Sequence, residues 1–478
     1  MARENSSSGA RAPAATVPHL TVGEHAEAGK RARQTVPRSS LATWSAAPDR
    51  PDPVEILEEQ ARSRVQELVP IRYGRMLLSP FAFYRGAAAI MASDLASVPN
   101  TALRVQLCGD AHVSNFGLFA SPERSLVFDI NDFDETLPGP WEWDLKRLVA
   151  SLAIAGRADG FDEAQRHGVT VECASSYRAA MQGFASRAEL EVWYSRTQVQ
   201  EGLPRLRKLL HKKELKQVEA VVEKARTRDS MQAFAKFTEV VDAGPRIKTV
   251  PPLVVAARDL FPPDEAAEYH AEIHQLLRSY RRTLPRDRRH LLERFRFVDL
   301  ARKVVGVGSV GTRAWILLLL GRDDQDPLFL QAKEAEASVL EGFAGRSEFA
   351  SHGQRVVEGQ KLMQATSDIF LGWERVRGFD DVERHYYMRQ LRDWKGSWNP
   401  DVMDDREMTI YARMCGWTLA RAHARSGDRI AIAAYCGNSD KLDRALATFA
   451  ESYADQNEAD YEALRVAVKE GRVEAKTG

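Results

Sequence analysis

Apolar and polar positions along the chain follow two periods. From Pro53 the spacing is helical, with Ile56, Leu57, Ala61 and Val65 on one face. Pro80, directly after Ser79, is placed to open a helix that runs to about Ala96 and stops before Pro99. Two short apolar runs, Val105-Gln106-Leu107-Cys108 and Leu126-Val127-Phe128, read as buried strands. Trp143 to Ile154 predicts a helix, and residues 160–295 are helical and amphipathic, with charged faces at 205–216 and 278–294. Between Phe297 and Met388 the pattern changes to strands. Residues 301–321 read as strand, Gly-rich turn and strand, and a hairpin turn leads to a third strand over 327–333. A helix is expected from Ser351 to Ala365, then two more strands at 368–376 and 385–391. From Met408 the chain is helical again. The pattern predicts an α+β protein with one five-stranded antiparallel sheet.

Residues 1–45, rich in Ala, Ser, Pro, Gly and Arg without periodicity, are expected to form a disordered tail. The start of the chain lacks the apolar stretch of a secretory signal, and no apolar run approaches the roughly 20 residues of a membrane span, so a cytoplasmic protein is expected. The 67 Lys plus Arg balance the 67 Asp plus Glu, so no global field points to nucleic acid or an acidic membrane. The four cysteines form no C-x-x-C pair, which argues against a zinc knuckle.

The chemistry concentrates in RVQLCGDAHVSNFGLFASPERSLVFDINDFDETLPGPWEWDLKR, residues 104–147. Asp110, Asn115, Asp129, Asp132, Asp134 and Asp144 lie there beside apolar strands, where unneutralised carboxylates are costly. Asp and Asn oxygens without cysteine suit a hard cation such as Mg²⁺. Asp110 and Asn115, five apart on a loop after a strand, can supply a carboxylate for an acceptor hydroxyl and an amide oxygen for a metal. Asp132 at the end of the returning strand would face them; the simpler role for Asp129, Asp132 and Asp134 is to cap turns. Asp144, in the first turn of a helix, caps it or braces the preceding loop. His112 reads as a hydrogen-bonding brace more readily than as a general base. Arg72, Arg75 and Arg85 sit among apolar neighbours, where they either pair with carboxylates or face the acidic cluster or a phosphate.

A second group lies far downstream. Gly306, Gly308 and Gly311, with Ser309, stand between two strands rather than between strand and helix, which suits a phosphate-covering hairpin loop better than a dinucleotide fold. Lys333 sits on the next strand among apolar residues and needs a partner. Glu358 on the following helix is the candidate, with Glu336 and Glu341 as alternatives.

GDAHVSN, NDFDE and GPWEWDL together resemble the loop motifs of the aminoglycoside and choline kinase group in the protein-kinase-like superfamily. The chain from Leu68 to Leu464 also resembles a bacterial domain-of-unknown-function family, numbered 2252. The kinase resemblance implies a catalytic base at Asp110, metal ligands at Asn115 and Asp132 with Asp134 assisting, and a brace at Asp144. It implies an ATP site at Gly306, Gly308, Gly311, Lys333 and Glu358, with ATP and Mg²⁺ as cofactors and a small-molecule acceptor. Cys108 stands where that group usually has His. The Gly-rich part comes first in those kinases and last here, which implies circular permutation. On this reading 46–296 is a helical catalytic lobe, 297–395 a nucleotide-binding β-rich lobe, and 396–478 helices packing on the first. The alternatives are AMP transfer, a nucleotide-binding pseudokinase, a metallophosphoesterase suggested by Asp110-Ala111-His112, and a non-enzymatic helical scaffold.

Overall fold

The computed structural model describes residues 19–209, 211–241, 244–262, 266–304, 306–377, 382–391 and 393–476. It is an α+β protein, and every strand pair among the described residues is antiparallel. The largest sheet has the order Gly372–Arg377, Glu383–Gln390, Pro327–Glu334, Ala314–Leu320, Arg296–Lys303, Val254–Ala256. It therefore has six strands where the sequence pattern predicts five. The five expected strands are present, and Val254–Ala256 adds itself to the outer edge of Arg296–Lys303.

Ala314–Leu320 is a continuous apolar run because both of its faces are covered. Ile316, Leu318 and Leu320, with Phe329, pack against Ala233 and Phe237 of the helix Ser230–Phe237. Leu317 and Leu319, with Leu328, Leu330 and Ala332, pack against Ile273, Leu277 and Tyr280 of the helix Ala266–Arg282. Alternation then fixes where the polar breaks of Pro327–Glu334 point. Gln331 and Lys333 share the face of Phe329, and Arg389 and Tyr387 stand directly opposite them on the neighbouring strand.

The helical body surrounds Trp141–Ala158, whose residues from Trp141 to Gly156 are all buried. Glu163–Ala185, Asp405–Ser426 and Lys441–Lys469 enclose it, the last through Leu442, Leu446, Phe449 and Tyr453. The helix expected from Pro80 to Ala96 is two helices, Pro80–Gly86 and Ala88–Ala96, broken at Ala87. Residues 1–18 of the expected tail lie outside the described residues. The remainder is not a tail: Val22–Thr35 is a helix opened by a reciprocal Thr21–Glu24 capping box, and Gly29 packs on Ala431.

The sheet and the helical body share one core. Val356, Val357 and Met363 of the helix His352–Met363, and Tyr387 of the sheet, belong to the same apolar cluster as Leu145 and Leu148. Trp141, Trp143 and Phe116 are core residues of that cluster. Among the described residues, no helix is long and apolar enough to cross a membrane.

Candidate functional site

The loop after strand Arg104–Leu107 is shaped by two residues. Gly109 adopts φ +85°, and a Cβ there would lie 2.2 Å from the Glu135 carbonyl oxygen. Asp144 accepts the Cys108 N–H at 2.8 Å and the Gly109 N–H at 3.0 Å, so it braces the loop from the first turn of Trp141–Ala158. Asp144 is itself backed by His423 Nε2 at 3.3 Å, whose Nδ1 meets the Tyr177 hydroxyl. Gly109→Ala combines a left-handed strain of about 1–2 kcal/mol with a backbone clash. It is expected to lower stability by at least that amount in urea unfolding; an unchanged midpoint would contradict the loop geometry.

The braced loop presents Asp110. Its Oδ1 accepts the Arg147 Nε–H at 2.9 Å, and Arg147 also donates to the Tyr84 carbonyl. Burial pushes the Asp110 carboxyl upward, and the charges of Arg147 and Arg85 only partly offset it. His112 Nε2 stands 3.7 Å from Asp110 Oδ2. Burial, with Arg85 and Arg147 nearby, drives the His112 pKa well down, and its buried Nδ1 has no hydrogen-bond partner among the described residues, so the hydrogen-bonding brace expected from sequence is not formed there. Asn115 donates its Nδ2–H to the Asp110 carbonyl at 2.8 Å, which leaves its Oδ1 for another ligand.

Strand Leu126–Ile130 returns the chain to the same place. Asp129, read from sequence as part of the acidic cluster or as a turn cap, is instead buried within this strand and paired with Arg421. Asp132 and Asp134 follow. Lys333 forms an ion pair with Asp134 Oδ2, and its Nζ lies 3.8 Å from Asp132 Oδ1. Tyr387 donates its hydroxyl to Asp134 Oδ1 at 2.6 Å, and Ser309 donates to Asp134 Oδ2 at 3.4 Å. Burial would raise the Asp134 carboxyl, but Lys333 and the Tyr387 hydroxyl outweigh it and hold it at about 2. Asp132 goes the other way, raised by burial and by the Asp134 charge.

The partner expected for Lys333 is therefore corrected. Glu358 lies against Lys361 at 3.9 Å, and neither Glu336 nor Glu341 replaces it. The helix His352–Met363 contributes Arg355 instead. Its guanidinium donates to the carbonyls of Asp134, Thr136 and Glu336, tying the acidic loop to the sheet. Lys333, Tyr387 and Ser309 engage both oxygens of Asp134, the residue read from sequence as an assisting metal ligand.

The Gly-rich loop joins Arg296–Lys303 to Ala314–Leu320 as expected; Val305 lies outside the described residues. Gly306 and Gly311 adopt φ +64° and +91°. Three N-terminal arginines border this loop. Arg75 donates to the Gly306 carbonyl at 2.7 Å and Arg64 to the Val310 carbonyl at 2.6 Å, while the Arg85 carbonyl comes within 2.9 Å of where a Gly308 Cβ would stand.

Two cavities meet at this junction. The larger, about 660 Å³, is lined by Lys236, Lys248, Lys303, Lys333, Arg389 and Lys395, with Arg75 and Arg228; Asp132 is the carboxylate among its lining residues. Repulsion from Arg389, with burial, pushes the Lys395 ammonium down to about 7. The smaller, about 190 Å³, is lined by Asp110, Asn115, Asp132, Asp134 and Glu135 together with Arg64, Arg72 and Arg85. Burial raises Glu135 to about 7 against the opposing charge of Arg355. Asp132 and Ser309 line both cavities. Sequence reasoning missed Arg147, Arg355 and Glu135. Of these, only Glu135 carried a local signal, being the third acid of NDFDE.

Residues 64–467 match the family described as uncharacterized protein conserved in bacteria (DUF2252). No curated protein and no solved structure matches significantly. The match spans most of the chain and both groups of site residues, from Arg64 through Asp110 and Lys333 to Arg421, and so the chain belongs to the bacterial DUF2252 family.

Proposed function

We propose that this protein is an ATP- and Mg²⁺-dependent phosphotransferase acting on a hydroxyl of a small molecule, built as a circularly permuted kinase-like fold of two lobes. The observation that carries this reading is the junction at Lys333: its ammonium bridges toward Asp134 and Asp132 where the basic cleft opens into the cavity holding Asp110. A cleft with, among the described residues, eight cationic side chains and one carboxylate suits a polyphosphate. A permuted order is consistent with the contacts of Asp405–Ser426. Ser426 Oγ accepts the Gln106 N–H at 3.2 Å and His423 backs Asp144, which supports this late helix as the one beside the catalytic loop.

In this scheme Asp110 orients the acceptor hydroxyl and takes its proton, and Arg147 fixes the carboxylate in place. Asn115 Oδ1 and Asp132 fit a Mg²⁺ that arrives with phosphate oxygens, since such a site needs only one or two protein donors. The metal would neutralise charge developing on the transferred group. Lys333, Arg389 and Lys395 receive the phosphates. A two-metal phosphoesterase needs more protein ligands. Among the described residues no group of three or more His, Cys, Asp or Glu is arranged to hold a metal.

Mg·ATP at one hundred times its Kd is expected to stabilise the protein by about 2.7 kcal/mol, read as a rise in melting temperature. No shift with any nucleotide would overturn the proposal. Label transferred from the γ rather than the α position of ATP separates phosphoryl from AMP transfer.

A further inference from the structure

We infer that the smaller cavity is a binding site for an oxyanion, a phosphate or carboxylate group, cradled by Arg64, Arg72 and Arg85. The assignment of that group to the acceptor rests on the phosphotransferase reading above; the anion site itself does not.

The decisive residue is Arg72. It is 1% exposed, lines the cavity, and leaves Nε and Nη1 without a hydrogen-bond partner. Its Nη2 donates only to neutral acceptors, the Gln60 side chain at 3.0 Å and the Gly86 carbonyl at 3.1 Å. A guanidinium buried without an anion is strongly disfavoured. The side-on fork of a guanidinium is Nε with Nη2, and Nη2 is already donating, so Nε and Nη1 each have one charge-assisted hydrogen bond to offer an oxyanion. Arg85 makes no side-chain hydrogen bond or ion pair with the described residues, and its Nε is buried. Among the described residues Arg64 donates only to the Val310 carbonyl, and its Nε is also buried and without a partner.

The carboxylates facing the same cavity act on Arg64 and Arg85 through charge, but among the described residues none forms an ion pair with these arginines. Asp110 is held by Arg147, Asp134 by Lys333 and Tyr387, and Glu334 by Arg313 and Arg384, while Asp132 lies 3.8 Å from Lys333 Nζ. Glu135 accepts the Val339 N–H at 2.8 Å. Glu336 acts on Arg64 through its charge without forming an ion pair. Burial accordingly depresses all three guanidiniums, Arg72 furthest. The cavity places this cationic end against Asp110 within about 190 Å³, smaller than the roughly 300–1,000 Å³ of pockets for drug-sized ligands. The acceptor is then a small, anionic hydroxy compound whose charge is gripped by arginine while its hydroxyl meets Asp110.

The test titrates the full chain with inorganic phosphate and, in parallel, acetate, by calorimetry, with and without saturating Mg²⁺ and a non-hydrolysable ATP analogue. Phosphate or acetate is expected to bind alongside the analogue. Arg85→Gln, which removes no existing bond with the described residues, is expected to weaken that binding at least tenfold, or about 1.4 kcal/mol. Lys236→Gln, in the larger cleft, should leave it unchanged. Whichever anion binds in an Arg85-dependent way identifies the group as phosphate or carboxylate. Absence of binding by both anions, or loss on Lys236→Gln but not on Arg85→Gln, would overturn the site. Competition between the anion and the analogue would overturn its assignment to the acceptor. Arg85-dependent binding in a protein that takes no nucleotide would leave the anion site standing and remove the phosphotransferase reading.

Discussion

Asp110→Asn is expected to lower kcat by about 10²–10⁴-fold, the usual contribution of a positioned general base, with the affinity for Mg·ATP unchanged. Asparagine is the informative replacement. Its carbonyl oxygen can still accept the Arg147 Nε–H that Asp110 accepts at 2.9 Å. Alanine would instead strand a buried arginine at about 3–5 kcal/mol and confuse lost chemistry with lost folding. The pH dependence supplies a separate check. A base works deprotonated, so kcat should rise with pH across the Asp110 titration. Burial places that rise above the ordinary carboxylate range. Turnover that survives Asp110→Asn, with the rise intact, would move the base to another residue. Glu135, raised to about 7 and lining the same cavity, would then be the next candidate.

What was readable in advance followed how local each signal was. The doubly covered strand Ala314–Leu320 and its neighbour Pro327–Glu334 were legible because their own residues carry the alternation and the apolar runs. The bracing role of Asp144 was legible because a carboxylate early in a helix has few other partners. Val254–Ala256 was not, being three residues that become a strand only by pairing with Arg302 and Ala301. The helix Val22–Thr35 was obscured by composition although its Thr21–Glu24 cap was readable. The hardest features were the cations. Asp129 needs Arg421, Asp110 needs Arg147, and the acidic loop needs Arg355. Each lies on an element whose position depends on tertiary packing, and spacing along the chain encodes none of these pairings. The same limit produced the Glu358 assignment. One turn of helix separates it from Arg355, and only the orientation of His352–Met363 decides which faces the acidic loop.

The second large effect is expected from Lys333→Met, which keeps the length of the side chain and removes its charge. Two readouts should change together. Binding of Mg·ATP should fall below detection, because the cleft loses the cation at its junction with Asp132 and Asp134. Stability at pH 7 should fall by about 3–5 kcal/mol, the cost of removing one partner of a buried ion pair. The sign of the pH dependence then identifies the cause. In the wild type Asp134 titrates at about 2, below its ordinary value of 3.8, so its contribution is complete above pH 4 and is lost only as the pH falls toward 2. Between pH 5 and 7 this residue leaves wild-type stability flat. Without Lys333, burial and mutual repulsion raise Asp132 and Asp134 together, and the folded state binds protons that the unfolded chain does not. The variant should therefore become more stable as the pH falls from 7 to 5, narrowing its gap to the wild type in urea unfolding. A gap of constant size across that window would mean that Lys333 stabilises by packing against Tyr387 rather than by neutralising the pair. Full nucleotide affinity in the variant would separate the cleft from phosphate binding altogether.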